Sequence, residues 1–380
     1  MRYTEKMCDL AFEQYGNYDM CDNNEAEIVN LLNDDSIFRS FGDGLLSILK
    51  TKCKDISISN VIKVIEVMCV KNGVPRSAIG SLNTIKSWFS GGPRPKKGEN
   101  SRDAMFALSF AFEFSPSETA ELFHKVYLDR AFDFRNAKEI VYYFCLFNKK
   151  SWMDAQKIIS NINENEESDD AIMHSKLLRA EVEVLKDEEE LLSYIARHHN
   201  NLKRKQTTAK MHLERLLGNA KQVARKEAEA PEYEDRFDGS WKNETNVSIN
   251  FMYAMITDQN PSQEKGTTAI FKDANFPKEI INRFPEASSF SEKEPSYESM
   301  RKMIILLFSY DFWYNVQYKK ATYTLEDYTA QLDALLSECG FCTMYYGNPL
   351  DWMFLYCTLA EHPLDIFRNI LLEALGYVEE

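Results

Sequence analysis

The sequence predicts an all-α, multi-helical fold, and two observations support that prediction. Apolar residues recur at spacings of three and four along most of the 380 residues, which is the period of an amphipathic helix. Few runs alternate between apolar and polar residues, as a half-buried strand would. Because 13% of the residues are aromatic, the chain can fill packed cores, and disorder throughout is excluded.

The charge balance limits the surfaces that the protein can present. Lys and Arg total 45 while Asp and Glu total 59, so the formal net charge is −14. An acidic chain lacks the uniformly basic coat of many nucleic-acid-binding proteins. Any contact with nucleic acid therefore requires a local basic patch.

The cysteines and the N-terminus predict a cellular location. The eight cysteines are scattered, several of them among apolar neighbours, and the N-terminus has no apolar signal segment. This pattern is typical of reduced, buried thiols. No apolar run approaches the roughly 20 residues that span a bilayer. We therefore expect a soluble cytoplasmic protein that makes no membrane contact.

Short helices separated by turns are expected in the first third of the chain. Ser57 and Ser59 are candidate N-caps of the third helix, and residues 73–75 form the turn after it. Ser101 and Ser115 begin two further helices, the second with proline in its first turn. The expected helical segments are 25–33, 42–53, the segment that contains Val61 to Cys69, 76–89, the segment RDAMFALSFAF from Arg102, and the segment after Ser115.

Longer helices are expected further along the chain. Residues 136–147 are apolar almost all round, which predicts a central core helix, and Ser151 begins the next helix. The acidic run 163–170 is expected to be a loop or linker, and five prolines predict a loop-rich connection over 229–295. The remaining expected helices are 171–186, 188–226 and those from 296 onward, the last from Pro363 to about 376.

Three segments of the first half recur in the same order in the second half. Amphipathic helices resemble one another by default, but the shared order predicts a duplicated helical unit, near 40–160 and 275–380. A cysteine also follows the asparagine of the third segment by nine residues in both copies. The matches are Arg102 to Leu108 with Arg301 to Leu307, Thr119 to Leu122 with Thr329 to Leu332, and Asn136 to Glu139 with Asn348 to Asp351.

The two copies differ in charge. Residues 71–102 contain seven basic residues and one glutamate, a net charge of +6, whereas residues 275–300 contain three basic and five acidic residues, a net charge of −2. Within the basic segment, IKSWFSGGPRP (85–95) ends a helix at Gly91, and its two prolines fix the following loop. A helix end beside a basic loop suits a nucleic-acid backbone. The alternative is a helix C-terminus followed by a solvated, charged loop.

Residues 42–125 resemble the lambda-repressor or Cro-type helix-turn-helix proteins of bacteria and their phages. The resemblance rests on KDISISNVI (54–62) at the start of the motif's first helix and on IKSWFSG (85–91) followed by Arg94 and Pro95. The apolar helix from Arg102 would close the module. The resemblance implies sequence-specific contacts with the DNA major groove, and such modules usually act as dimers on paired half-sites.

The same resemblance implies which residues contact DNA. The interval from Val61 to Gly91 is longer than a compact module needs. Either its helices are extended, or residues 76–79 and 83–85 form two separate short helices. The implied groove-contacting residues are Arg76, Ser77, Asn83, Thr84, Lys86 and Ser87, and the implied phosphate-contacting residues are Arg94, Lys96 and Lys97.

The resulting hypothesis is a DNA-binding transcription regulator that is not an enzyme and that contacts itself as a dimer or another protein. The alternative is a helical protein-interaction scaffold in which the module only packs. The sequence identifies no small-molecule ligand. The predicted domains are 1–125 with the helix-turn-helix-like module, 126–228 as a helical scaffold, 229–295 as a loop-rich connection, and 296–380 as a C-terminal helical unit.

A second basic helix face is the other candidate binding surface. It is either a solvated face, a docking helix for an acidic partner, or a surface that binds single-stranded RNA. The residues of this secondary face are Lys203, Arg204, Lys210, Arg215, Lys221 and Arg225.

Cofactor and metal sites are not predicted. Cys339 and Cys342 have the spacing of a redox or zinc motif, but no second pair lies nearby in the sequence. Half-buried thiols at a helix C-terminus are the expectation for them. His198 and His199 are expected to lie on a solvated helix face. No phosphate-binding glycine loop or catalytic carboxylate pair is present in the sequence.

Overall fold

The structure is a computed structural model. It describes residues 25–32, 40–92, 95, 98–162, 175–198, 202, 207–230, 247–257, 297–319 and 322–374. These residues form seventeen α-helices and one π-helix without any strand, which confirms the predicted all-α fold. Among the described helices, none is both long enough and apolar enough to cross a membrane.

The helices are numbered in chain order, and the π-helix continues directly from α7. They are α1 (Glu25–Leu32), α2 (Phe41–Leu49), α3 (Val61–Lys71), α4 (Arg76–Ile79), α5 (Leu82–Phe89), α6 (Glu99–Ala111), α7 (Pro116–Glu121), the π-helix (Leu122–Tyr127), α8 (Ala137–Phe147), α9 (Trp152–Ser160), α10 (Ser175–Glu183), α11 (Glu188–Arg197), α12 (Thr207–Ala228), α13 (Ile249–Thr257), α14 (Tyr297–Lys319), α15 (Leu325–Glu338), α16 (Pro349–Thr358) and α17 (Pro363–Ala374).

The chain forms two compact units. The central unit spans residues 39–207, and the terminal unit combines residues 1–38 with 208–380. This division differs from the predicted domains, since the expected boundary after residue 125 falls inside the central unit. The reason is a continuous aromatic core, in which the Phe106 ring lies 4.7 Å from that of Phe123 and 4.8 Å from that of Tyr142.

Several helix starts agree with the predictions because local hydrogen bonds determine them. Ser115 and Ser151 each form a capping box. The serine hydroxyl accepts from the backbone N–H of the third helical residue, and the acidic side chain of that residue accepts from the serine backbone N–H. The predicted core helix corresponds to α8, and every residue from Glu139 to Leu146 is buried.

Other boundaries differ from the predictions. The residue at the N-cap of α3 is Asn60, and neither Ser57 nor Ser59 occupies that position. The Asn60 side chain accepts from the Ser57 N–H at 2.7 Å and so closes the preceding turn. Helix α6 begins at Glu99, before Ser101. The single helix expected over 188–226 is interrupted, because α11 ends at Arg197 and the next long helix starts at Thr207.

A buried arginine clasp connects separate segments of the central unit. Arg102 on α6 donates to both carboxylate oxygens of Glu139 at 2.7 Å and to Asp129 at 2.9 Å. It also donates to the carbonyl oxygens of Arg130 and Ala131. The Glu139 carboxylate accepts a backbone N–H six residues earlier in the chain. The clasp thereby joins α6 and α8 to the loop between the π-helix and α8.

The terminal unit contains a clasp of the same design. Arg301 on α14 donates to the Asp351 carboxylate at 2.7 and 2.8 Å and to the carbonyl oxygens of Cys342 and Thr343. Asp351 likewise accepts a backbone N–H six residues earlier, from Tyr345.

Both clasps involve residues that the predicted repeat pairs with each other. Glu139 and Asp351 each occupy the third position of a helix whose N-cap is an asparagine, Asn136 or Asn348. Because two unrelated helical units have no reason to share this set of partners, the common clasp supports the predicted duplication.

Candidate nucleic-acid interface

The segment predicted to contact the major groove forms two short helices. Helix α4 has four residues and α5 has eight, and Gly80 separates them with a φ of 148°. Residues with a Cβ atom rarely adopt such a φ, so glycine is required there. The structure thus agrees with the second of the two arrangements predicted for this interval, and α4 accounts for its additional length.

Helix α5 is fixed to the central unit through its apolar side. Ile85 and Trp88 are buried, and the Trp88 ring meets Phe41 of α2 edge-on, with 5.4 Å between ring centroids. Phe89 is half-buried. At Gly42 of α2, an added Cβ would lie only 2.1 Å from the Trp88 carbonyl oxygen. The two helices therefore approach as closely as their backbones allow.

The opposite side of α5 is polar and exposed. Asn83, Thr84 and Lys86 are exposed, and Ser87 is half-buried with its hydroxyl donating to the Thr84 carbonyl at 2.7 Å. Within the described part of the chain, the amide of Asn83 and the ammonium of Lys86 form no side-chain bond. Both groups therefore point to solvent without competition from neighbouring residues.

Helix α4 contains the other two described residues that were predicted to contact the major groove. Ser77 is exposed, while Arg76 is half-buried, with its guanidinium 3.5 Å from the Gly80 carbonyl oxygen. The three predicted phosphate contacts, Arg94, Lys96 and Lys97, lie outside the described residues. The structure therefore places six of the nine predicted residues on α4 and α5.

The charge of this region is unusual for the chain. Residues 67–98 contain six basic residues and no acidic residue, in a protein whose net charge is −14. Lys71 is partly neutralised, because its ammonium lies 3.1 Å from the Glu113 carboxylate across an exposed ion pair. We call the polar surface formed by Arg76 and Ser77 of α4 and by Asn83, Thr84, Lys86 and Ser87 of α5 the α4–α5 surface.

Two residues that build this surface were not predicted. Ser81 caps α5 by accepting from the Thr84 N–H, and a serine directly before the helical run LNTI was a usable signal. Gly42 had no such signal. Glycine is required at this position because the Trp88 carbonyl oxygen leaves no room for a Cβ atom, and Trp88 is remote in the sequence.

Only part of the secondary basic face lies among the described residues, and its members there differ in exposure. Lys203 and Arg204 lie outside the described residues. On α12, Lys210 and Lys221 are half-buried and Arg215 is exposed, while Arg225 forms an ion pair with Glu229 at 3.6 Å. This ion pair lowers the positive potential that the face could offer to a phosphate.

Cys339 has the character of an inert thiol. Cys339 caps the C-terminus of α15 and is half-buried, and burial raises the pKa of its thiol to about 12. At neutral pH it is therefore protonated, whereas metal binding and disulfide exchange require the thiolate. Among the described residues, no group of three or more His, Cys, Asp or Glu could hold a metal ion.

His198 is half-buried, with only 14% of its side chain exposed, and so does not lie on the solvated helix face that was expected. The His198 ring packs on Tyr194 with 4.5 Å between ring centroids and lies 3.5 Å from the Glu181 carboxylate. His199 lies outside the described residues.

Comparison of the chain with protein-family models, with curated proteins and with solved structures found no match. The α4–α5 surface itself is therefore the basis for a functional proposal.

Proposed function

We propose that the protein is a DNA-binding regulator without enzymatic activity and that the α4–α5 surface contacts DNA. One observation supports this most strongly. In the sequence, the acid-free basic segment 67–98 contains a helix whose polar side is exposed, in a chain that is acidic overall. Positive charge concentrated on one small surface is what a polyanionic backbone requires, because each phosphate contact releases a counterion.

The side chains on α5 suit distinct parts of a duplex. The Lys86 ammonium is a point charge that can pair with a phosphate oxygen. The Asn83 side chain offers a donor and an acceptor together, which matches the major-groove edge of adenine. Since Trp88 and Gly42 hold α5 tightly against α2, these groups are presented from a rigid support.

Replacing Lys86 with alanine is expected to weaken binding to a short mixed-sequence duplex at every salt concentration. The slope of log K against log salt should become shallower by about 1, because one phosphate contact is lost. Fluorescence anisotropy across a salt series measures both quantities. Lys157→Ala is the matched control, since this lysine is 69% exposed on α9.

An unchanged slope for Lys86→Ala, or a duplex affinity that is undetectable at low salt, would contradict the proposal. The same titration includes single-stranded RNA of matched length. A preference for that strand, lost on replacing Lys210 and Lys221 instead, would assign nucleic-acid binding to α12 and also contradict it.

Contact with a second copy of the chain is the other candidate function, and α3 favours it. Val67 and Val70 are 56% and 83% exposed on the side of α3 opposite its buried face. In a parallel pairing of two α3 helices, Val67 and Val70 of one copy pack against the same residues of the other. The same register places Glu66 of one copy beside Lys71 of the other, so the face is complementary to itself in charge.

This pairing is expected to appear as a weak dimer in sedimentation equilibrium, because two valines per copy bury little area. Glu66→Lys and Lys71→Glu should each weaken the dimer, and the double variant should restore it. A monomer at all concentrations, or no restoration in the double variant, would remove this candidate.

A further inference from the structure

A groove in the central unit lies where three helix-to-helix corners meet. Its volume is about 610 Å³, within the roughly 300–1,000 Å³ typical of small-molecule sites. Asn72 lines it from the corner after α3, Glu113 from the corner after α6, and Lys149 from the corner after α8. Phe147 and Trp152 contribute aromatic surface. The groove is separate from the α4–α5 surface, so its function is independent of the DNA proposal.

The three corners have the same backbone design. Each helix ends with a residue at positive φ, and the next N–H bonds back to the helix: Val74 to the Cys69 carbonyl at 2.9 Å, Phe114 to Ser109 at 2.9 Å, and Lys150 to Cys145 at 2.8 Å. After α3 the residue at positive φ is Gly73, with φ 65°. After α6 and α8 it is Glu113 and Lys149, each with φ 52°.

A side chain at such a position costs stability. Glycine adopts a left-handed φ without strain, whereas a residue with a Cβ atom does not. At Glu113, an exposed ion pair with Lys71 offsets part of this cost. Lys149 is exposed, and its ammonium has no ion-pair or hydrogen-bond partner within the part of the chain that the structure describes. Strain that the fold itself does not offset is characteristic of residues retained for function.

The other lysines of the groove are already engaged. Lys52 lies 2.8 Å from the Glu118 carboxylate and over the Phe114 ring. Lys150 lies 3.3 Å from the Glu188 carboxylate. Lys149 is thus the cation of this groove that no described carboxylate neutralises.

We propose that this groove binds a small organic anion. The Lys149 ammonium holds the anionic headgroup, and an apolar body of the ligand rests on Phe147, whose side chain is 48% exposed. The chemistry fits a ligand with one carboxylate, sulfonate or phosphate and an aromatic or aliphatic part, since the groove combines one unneutralised cation with aromatic walls.

The test uses 8-anilinonaphthalene-1-sulfonate, a probe with an anionic group on an aromatic body, and the full chain. Saturable binding of one equivalent is expected by fluorescence titration. Lys149→Gly should weaken it at least about tenfold, since the charged partner is lost. The same variant should raise the thermal midpoint by roughly 2–4 °C, because glycine relieves the left-handed strain.

Three further variants make the result specific. Phe147→Ser should also weaken binding of the probe. Because the Phe147 side chain is already exposed, this variant is expected to fold. Glu113→Gly should raise the midpoint likewise but strengthen binding, because it removes a carboxylate that repels the anion. Lys63→Ala, an exposed lysine of α3 outside the groove, should leave affinity within twofold. Non-saturable binding, or Lys149→Gly with unchanged affinity, would overturn the proposal.

Discussion

Replacing Arg102 with alanine is expected to lower the free energy of unfolding of the central unit by about 3–5 kcal/mol. The variant removes the guanidinium from beside Glu139 and Asp129, whose side chains are only 7% and 6% exposed. Burial alone lowers the pKa of Arg102, but these two carboxylates more than offset it and hold the pKa above its ordinary value. Urea unfolding followed by circular dichroism and tryptophan fluorescence measures the loss.

Two further variants show whether the loss in the free energy of unfolding is that of a buried clasp or of a surface ion pair. Arg179→Ala removes an arginine that is 58% exposed and paired with Glu183 within α10, so a loss below about 1 kcal/mol is expected. Arg301→Ala should destabilise the terminal unit as Arg102→Ala does the central unit. If Arg102→Ala costs no more than Arg179→Ala, the clasp does not stabilise the fold.

Replacing Gly42 with alanine is expected to displace α5 and with it the α4–α5 surface. The new Cβ would lie 2.1 Å from the Trp88 carbonyl oxygen and 3.1 Å from the Phe89 Cα. Backbone atoms cannot move aside as a side chain can, so α2 and α5 must separate. Overpacking of this kind costs about 1–3 kcal/mol or more, measurable by urea unfolding.

The same variant links the packing of α5 to the proposed function. We expect the duplex affinity to fall more for Gly42→Ala than for Lys86→Ala, since every group on α5 shifts. Gly44→Ala on the same helix is the graded control, because its Cβ would meet the side chain of Val126 at 3.3 Å. Equal stability of the Gly42 and Gly44 variants would contradict the close approach of α2 to α5.

The features that could be predicted from the sequence depend on neighbouring residues. The Ser115 and Ser151 caps involve partners three residues away, and α8 is apolar around almost its whole circumference. The repeat also pairs Arg102 with Arg301 and Glu139 with Asp351 in the sequence alone. That pairing was the available signal for the two clasps, although nothing local shows that an arginine will be buried.

The features that could not be predicted depend on residues distant in the chain. The central unit extends past residue 125 because aromatic rings from α6, the π-helix and α8 pack together. The groove was missed because its three corners are adjacent only in space.

The discontinuous terminal unit has a consequence for the order in which the protein is made. Helix α1 packs against α17, and Ile28 and Leu32 belong to the same apolar core as Leu364 and Phe367. A ribosome synthesises α1 first and α17 last, so α1 lacks this packing partner until α17 has been made. Residues 39–207 are complete much earlier. The central unit can therefore acquire its tertiary structure on the ribosome while the first helix still waits for its partner.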